Sequence, residues 1–494
     1  MNRREQGQVL PLGLVLVACA MAGAFVLFNT GQIASEKMRL ANSADAAAYS
    51  GALWQARALN FQAYTNRAMV ANHVAVGQAV SLHSWMTYAQ VTSENLAAAL
   101  RPVPVLGVVT TGIETGVRPV AQVVTAGAKI NFIAANAAIS ALSAAQGAMV
   151  AATMINTPEL IQAVAKETDS RFTTNSAYGL WKKAENIDQW RKFNKRYTKR
   201  DEKMSRERGD MVIASRDEFT RSRNWDLFDS WMPSGFALHK LRRQGGTRLS
   251  MVKSKQGMQW EWQAKDTLSI DNKVLTWFGV KRFEFPIAWA TTFANSRSTD
   301  KPMNPARCGN PWDVWRGGQN RFFNFQNCDR FTSHNHVAES LADQGVRTLR
   351  YTKTRNALRG YGGVRPFWVL SERSRKAHDA GLKVRVEVSL PADQLVSSDK
   401  ITSAERLSTP VVVAGDMVSS VSLAQVLYRR PDQHKIRPDQ LEKANAYNPY
   451  WTAQLSAVGL DERATALLMR KGGFNPTERN SGSNESNSTL GIYQ

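Results

Sequence analysis

The chain has 494 residues, 43% of them hydrophobic and 21% charged, with a formal net charge of +22. This balance excludes an intrinsically disordered chain, and three cysteines exclude a disulfide-stapled scaffold. The length allows roughly two to four structural units, and the excess of cations suits acidic partners such as anionic lipid headgroups, acidic polysaccharide, nucleic acid or an acidic protein face, although a basic surface without such a partner is the preferred reading.

Arg3 and Arg4 precede an uncharged run over residues 6–35, whose apolar heart, residues 9–28, is about 30 Å long as a helix. That length matches the hydrocarbon core of a bilayer, which predicts a membrane anchor. A cleaved signal is one alternative, with small-residue sites at Ala20-Met-Ala22 and Ala22-Gly-Ala24. A lipoprotein signal is another, since Leu16-Val-Ala-Cys19 fits a lipobox with Cys19 as the lipid acceptor. The apolar run continues past all three sites, which favours an uncleaved anchor. A prepilin reading fits less well, because cleavage after Gly7 puts Leu12 where pilins carry a glutamate. Residues 32–52 follow without proline and with many small side chains, so the helix is expected to continue beyond the lipid.

The run Arg4-Glu-Gln-Gly-Gln8, the apolar segment, and then Asn42-Ser-Ala-Asp-Ala-Ala-Ala-Tyr-Ser-Gly-Ala52 together resemble the N-terminal module of TadE/TadG-like proteins of the Tad (Flp-type) pilus machinery. Asn448-Pro-Tyr-Trp-Thr-Ala-Gln-Leu455 resembles an element near the ends of some TadG-related proteins. The resemblance implies a bacterial inner-membrane protein with a short cytoplasmic start, one span, and the bulk of the chain in the periplasm. Arg3 and Arg4 on one side balance Lys37 and Arg39 on the other, so charge alone leaves orientation open. Asn42, Ala44, Asp45, Ala47, Ala48 and Gly51 are expected to form a surface on which helices of other pilus proteins pack closely.

Further along, residues 35–100 lack proline and are rich in alanine, the strongest helix former, which predicts long helices ended by Pro102 and Pro104. His73 and His83 lie ten residues apart, at nearly opposite helical phases, and read as packing or surface histidines. Residues 130–155 are long enough to span a bilayer but contain Asn131, Asn136, Ser140, Ser143 and Gln146, which favours a helix folded back on the first. Residues 168–245 interleave aromatics with cations, as in Trp181-Lys-Lys and Trp190-Arg-Lys-Phe. Nucleic-acid grooves use this composition, but no recognition module accompanies it, and a solvated helical region or linker is the preferred reading.

Beyond residue 245 the pattern becomes strand-like, at residues 247–252, 259–264, 366–370, 383–390, 409–413 and 424–428. In residues 383–390 the valines share one face, while Lys383, Arg385, Glu387 and Ser389 share the other, expected to meet solvent. Cys308 and Cys328 are expected to form a disulfide closing a loop of about 20 residues, which contributes roughly 3 kcal/mol. Free thiols, or a metal site recruiting His334 and His336, are the alternatives.

No phosphate loop, nucleophile elbow, zinc-protease helix or dinucleotide fingerprint is present. Ser250-Met-Val-Lys253 has the spacing of a lysine-activated serine, yet on a strand these positions face opposite sides. The fold expected is α+β: a cytoplasmic start and anchor over 1–31, Ala-rich helices over 32–167, the basic region over 168–245, a mixed or antiparallel β-rich domain over 246–470, and a disordered tail over 471–494. The expected function is a non-catalytic accessory or minor pilin-like component of Tad/Flp pilus assembly, without cofactor or metal. The alternative is an envelope-anchored adhesin or anionic-polymer-binding protein.

Overall fold

The computed structural model describes residues 9–226, 232–234, 237–277, 279–297, 302–303, 335–345, 356–376, 381–396, 417–430 and 443–470. Helix α1 (Val9–Leu100) is 92 residues long and α2 (Pro104–Thr168) is 65. Pro102 breaks the first helix, and Pro104 opens the second at a position where a missing N–H costs nothing. The chain then forms α3 (Ala177–Phe193), β1 (Asn194–Tyr197), α4 (Glu202–Ala214), α5 (Glu218–Arg221), β2 (Trp225–Asp226), β3 (Met232–Ser234), β4 (Ala237–Ser254), β5 (Gly257–Thr276) and β6 (Gly279–Asn295). It continues through α6 (His336–Asp343), β7 (Asn356–Ala357), β8 (Phe367–Leu370), α7 (Glu372–Lys376), β9 (Leu382–Pro391), β10 (Met417–Tyr428), β11 (Trp451–Ser456) and α8 (Leu460–Arg470). The fold is α+β.

The chain divides into two compact units, and their boundaries differ from the sequential domains read from the sequence. Met1–Ala63, Ala148–Lys195 and Val369–Gln494 form the first unit; Tyr64–Gly147 and Arg196–Trp368 form the second. A helical hairpin whose arms supply both units forces this interleaving. The region 168–245, read as helical or as a linker, contains α3, α4 and α5 together with strands β1 to β3 and the start of β4.

In the first unit, β10 lies between β9 and β11, antiparallel to both. Val384, Val386, Val388 and Leu390 are buried on one face of β9. Its polar face was expected to meet solvent, but Glu387 and Ser389 are fully buried. Arg385 bonds Glu185 of α3 and Glu462 of α8, and Glu387 accepts from Ser176, from Ser419 at 2.5 Å and from Arg470. Two helices thus cover a charged strand face whose buried charges all have partners.

The second unit holds a sheet ordered β2-β4-β5-β6-β7, with β4, β5 and β6 antiparallel over long stretches. Residues 64–100 of α1 run along β5. Four helix residues advance about 6 Å and two strand residues about 6.6 Å, so contacts recur in step. His73 meets Trp260 at 4.9 Å between ring centroids, and Gly77 lies under the Trp262 ring. Ser81 bonds Thr247, the partner of Ala264, at 2.6 Å; Ser84 bonds Asp266 at 2.8 Å; and Tyr88 packs on Leu268. α6 covers part of the opposite face of β5. Lys265 sits 2.9 Å from Glu339 and 2.7 Å from Asp343, all three buried. Glu284 caps α6 by accepting from Val337 N at 2.7 Å and Ala338 N at 3.0 Å. Burial pushes its carboxyl up to about 7 against those bonds.

Candidate assembly site

Side chains at the start of α1 are bare: Leu10 and Leu27 are each 75% exposed, and the most apolar window of the helix has none of its residues buried. Cys19 is exposed within it and unpaired. Where the apolar run ends, Glu36 and Arg39 of α1 meet Asp169 and Arg171, which follow α2. Arg39 lies 2.8 Å from Asp169, and Arg171 lies 2.7 Å from Asp169 and 3.1 Å from Glu36. Hydrogen bonds from Arg171 hold the Asp169 carboxyl well below the usual carboxylate range. This four-charge knot ties the exit of the apolar segment to the first unit.

The small-residue surface is present, but its partner is the chain itself. Ala44, Ala47 and Ala48 are fully buried, and a Cβ added at Gly51 would lie 2.9 Å from Ile161 of α2 and 3.3 Å from Val384 of β9. Asp45 accepts from Ser422 Oγ of β10 at 2.6 Å, while Asn42 is exposed. Within its own unit this face of α1 therefore packs on α2, β9 and β10, while Asn42 and Asp45 stay exposed. Periodicity identified the packing face but carried no information about what covers it.

Sequence reasoning missed a set of helix amides that hydrogen-bond non-helical backbone through both a donor and an acceptor. Asn60 donates to Trp451 O at 2.9 Å and accepts from Trp451 N at 3.0 Å. Asn186 does the same to Arg385, at 2.9 and 3.2 Å. Asn136 donates to Gly360 O at 2.8 Å and accepts from Gly362 N at 2.9 Å. Asparagine is a poor helix former that prefers to bond backbone groups, so its recurrence inside helical stretches was the available signal. Trp451, from the Asn448-Pro-Tyr-Trp element, is 2% exposed and packs edge-on against Phe193 and Tyr428. That element is the seat on which Asn60 fastens.

His73 is buried and bonds Tyr361 at 2.9 Å; burial first, then repulsion from Arg208, lowers it to about 3. His83 bonds Thr292 at 3.1 Å and is lowered to about 4, mainly by burial and then by Lys129. Ser250 and Lys253 are not brought together as a pair: Lys253 Nζ binds Glu202 at 2.9 Å. In the basic region Trp190 is buried and donates to Val150 O at 3.2 Å, and Lys182 lies 3.8 Å over the Trp181 ring. Cys308, Cys328, His334, strand 409–413 and tail 471–494 lie outside the described residues. An open cleft of about 570 Å³ in the second unit is lined by Lys199, Lys255 and Arg297, with Gln256 and Gln259. Among the described residues no carboxylate lines it.

Residues 7–57 match the family model described as "Putative Flp pilus-assembly TadE/G-like". That segment is similar to a Tad module. It runs from before the bare apolar start of α1 to the buried small-residue face, so it joins the part of α1 fit for lipid to the part docked on the sheet of the first unit. No curated protein and no solved structure matches the chain. The Tad module supports involvement in Flp pilus assembly and, with its apolar helix, membrane association. A second window apolar enough to cross a membrane lies in α2, where 22% of its residues are buried.

Proposed function

We propose that this protein is a non-catalytic accessory of Flp pilus assembly, held in the bacterial inner membrane by the first part of α1, with its α+β body in the periplasm. The carrying observation is the division of the Tad module: its apolar half is bare, and its small-residue half is locked into its own body. The anchor then holds a folded body at the membrane, and other surfaces of that body meet the pilus machinery. A single span is supported by the use α2 makes of its polar residues. Ser143 donates to Pro366 O at 2.6 Å, and Gln146 accepts from Trp368 N at 2.8 Å, so this stretch is held against non-helical backbone of the body, which does not occur exposed to lipid.

A phosphatase reporter that folds only outside the cytoplasm, fused after Arg248, is expected to be active. An inactive fusion would mean inverted insertion or a second crossing by α2, and would overturn the topology.

The basic cleft favours a second reading, an envelope protein that holds an acidic polysaccharide. In that case Lys255→Glu with Arg297→Glu would abolish retention on an acidic polysaccharide column, while leaving pilus number unchanged.

A further inference from the structure

The first part of α2 carries a second packing stripe, and this one is bare. Val105, Val109, Val120, Val123 and Ile130 are each more than half exposed. Gly112, Gly116 and Gly127 complete the row, and a Cβ built on any of them meets nothing within 4 Å. The spacing, three or four residues at every step, holds the row within an arc of roughly 80° at 100° per residue. The opposite side of the same segment supplies its buried positions, Thr110, Ala121, Ala128 and Phe132. Its charges stay off the row: Glu114 pairs with Arg118 at 3.2 Å on the far side. α1 uses the same arrangement of small residues at Ala44, Ala47 and Gly51, where the chain's own elements fill it.

We propose that this face of α2 is a self-association surface, on which a second copy of the chain packs with Gly116 against Gly116. A helix face that is apolar and uncharged asks for an equally apolar helix, and each copy of the chain presents one. Glycines at the centre let two backbones approach, and the valines to either side pack past one another. About 38 Å of paired helix would bury on the order of 1,200 Å² in total, the lower edge for specific interfaces. A bilayer surface fits the row less well, since interfacial helices insert aromatic and leucine anchors, whereas this row is valine, isoleucine and glycine, with the exposed Leu106 outside its arc. Copies anchored in one membrane would meet at raised effective concentration, but the pairing does not depend on the anchored reading.

The test uses the full chain purified in detergent, with its mass measured by light scattering across a hundredfold concentration range. A dimer is expected whose midpoint rises at least tenfold in Val109→Asp and in Gly116→Leu. Because both positions are open in the monomer, the thermal midpoint of the dilute protein should not fall. Under oxidation Gly116→Cys should give a covalent dimer, and Thr125→Cys, on the other side of α2, should not. A wild type that stays monomeric at every concentration overturns the proposal. So does a dimer indifferent to both substitutions, as does α2 labelled by a lipid-borne photoprobe in a monomeric chain. Loss of periplasmic reporter activity with dimerisation intact would instead strike only the topology.

Discussion

Replacing Asn60 with alanine removes two hydrogen bonds at once, those to Trp451 O and from Trp451 N. Trp451 is 2% exposed, so its backbone groups lose partners in a place where water enters poorly. Each orphaned group costs about 1–3 kcal/mol. Asn60 itself is half-buried, and partial rehydration brings the expected total to about 2–4 kcal/mol. At a urea dependence of about 2 kcal/mol per molar, the unfolding midpoint of the first unit should fall by roughly 1–2 M. Asn60→Asp should be no better, because its second oxygen faces the Trp451 carbonyl where an N–H donated. The assay is urea unfolding of the detergent-solubilised chain by circular dichroism, with hydrogen exchange read on residues 445–456. A loss below about 0.5 kcal/mol, or exchange unchanged over that segment, would refute the idea that the amide fastens the Tad helix to the C-terminal element.

Three further outcomes are expected. Gly51→Leu forces bulk against Ile161 and Val384, an overpacking cost of about 1–3 kcal/mol or more, and should lower folded protein in the membrane; a stable variant that only lost piliation would support an intermolecular role instead. His73 is protonated below about 6.5 in the unfolded chain but only near 3 when folded, so the unfolded state binds more protons in this window and stability falls as pH drops through it. His73→Gln should remove up to about 1.4 kcal/mol per pH unit of that dependence between pH 6 and 4, and an unchanged slope would contradict the burial argument. Peptide mapping of unreduced protein should recover Cys308 linked to Cys328, and two freely alkylated thiols would reject the pairing.

Much of the local structure was legible in the sequence. The break at Pro102 and Pro104 and the strand around residues 383–390 follow from backbone chemistry and a period of two, and both are present. What covers each face was not legible. Glu387 and Lys265 look like solvent-facing strand residues until Arg470, Glu339 and Asp343 arrive from distant parts of the chain. Ala47 and Gly51 announced a close helix contact, yet nothing local distinguishes a partner in another protein from Ile161, more than a hundred residues away. The interleaved units were hidden for the same reason: a helical hairpin carries one sequence segment through both.

The anchored role in pilus assembly is tested most directly by counting surface pili in a strain deleted for this chain and complemented in turn. Deletion should abolish pili, the full chain should restore them, and a version whose residues 1–31 are replaced by a cleaved secretion signal should reach the periplasm folded but restore none. Normal pilus numbers in the deletion strain, or full rescue by the anchorless body, would contradict the account.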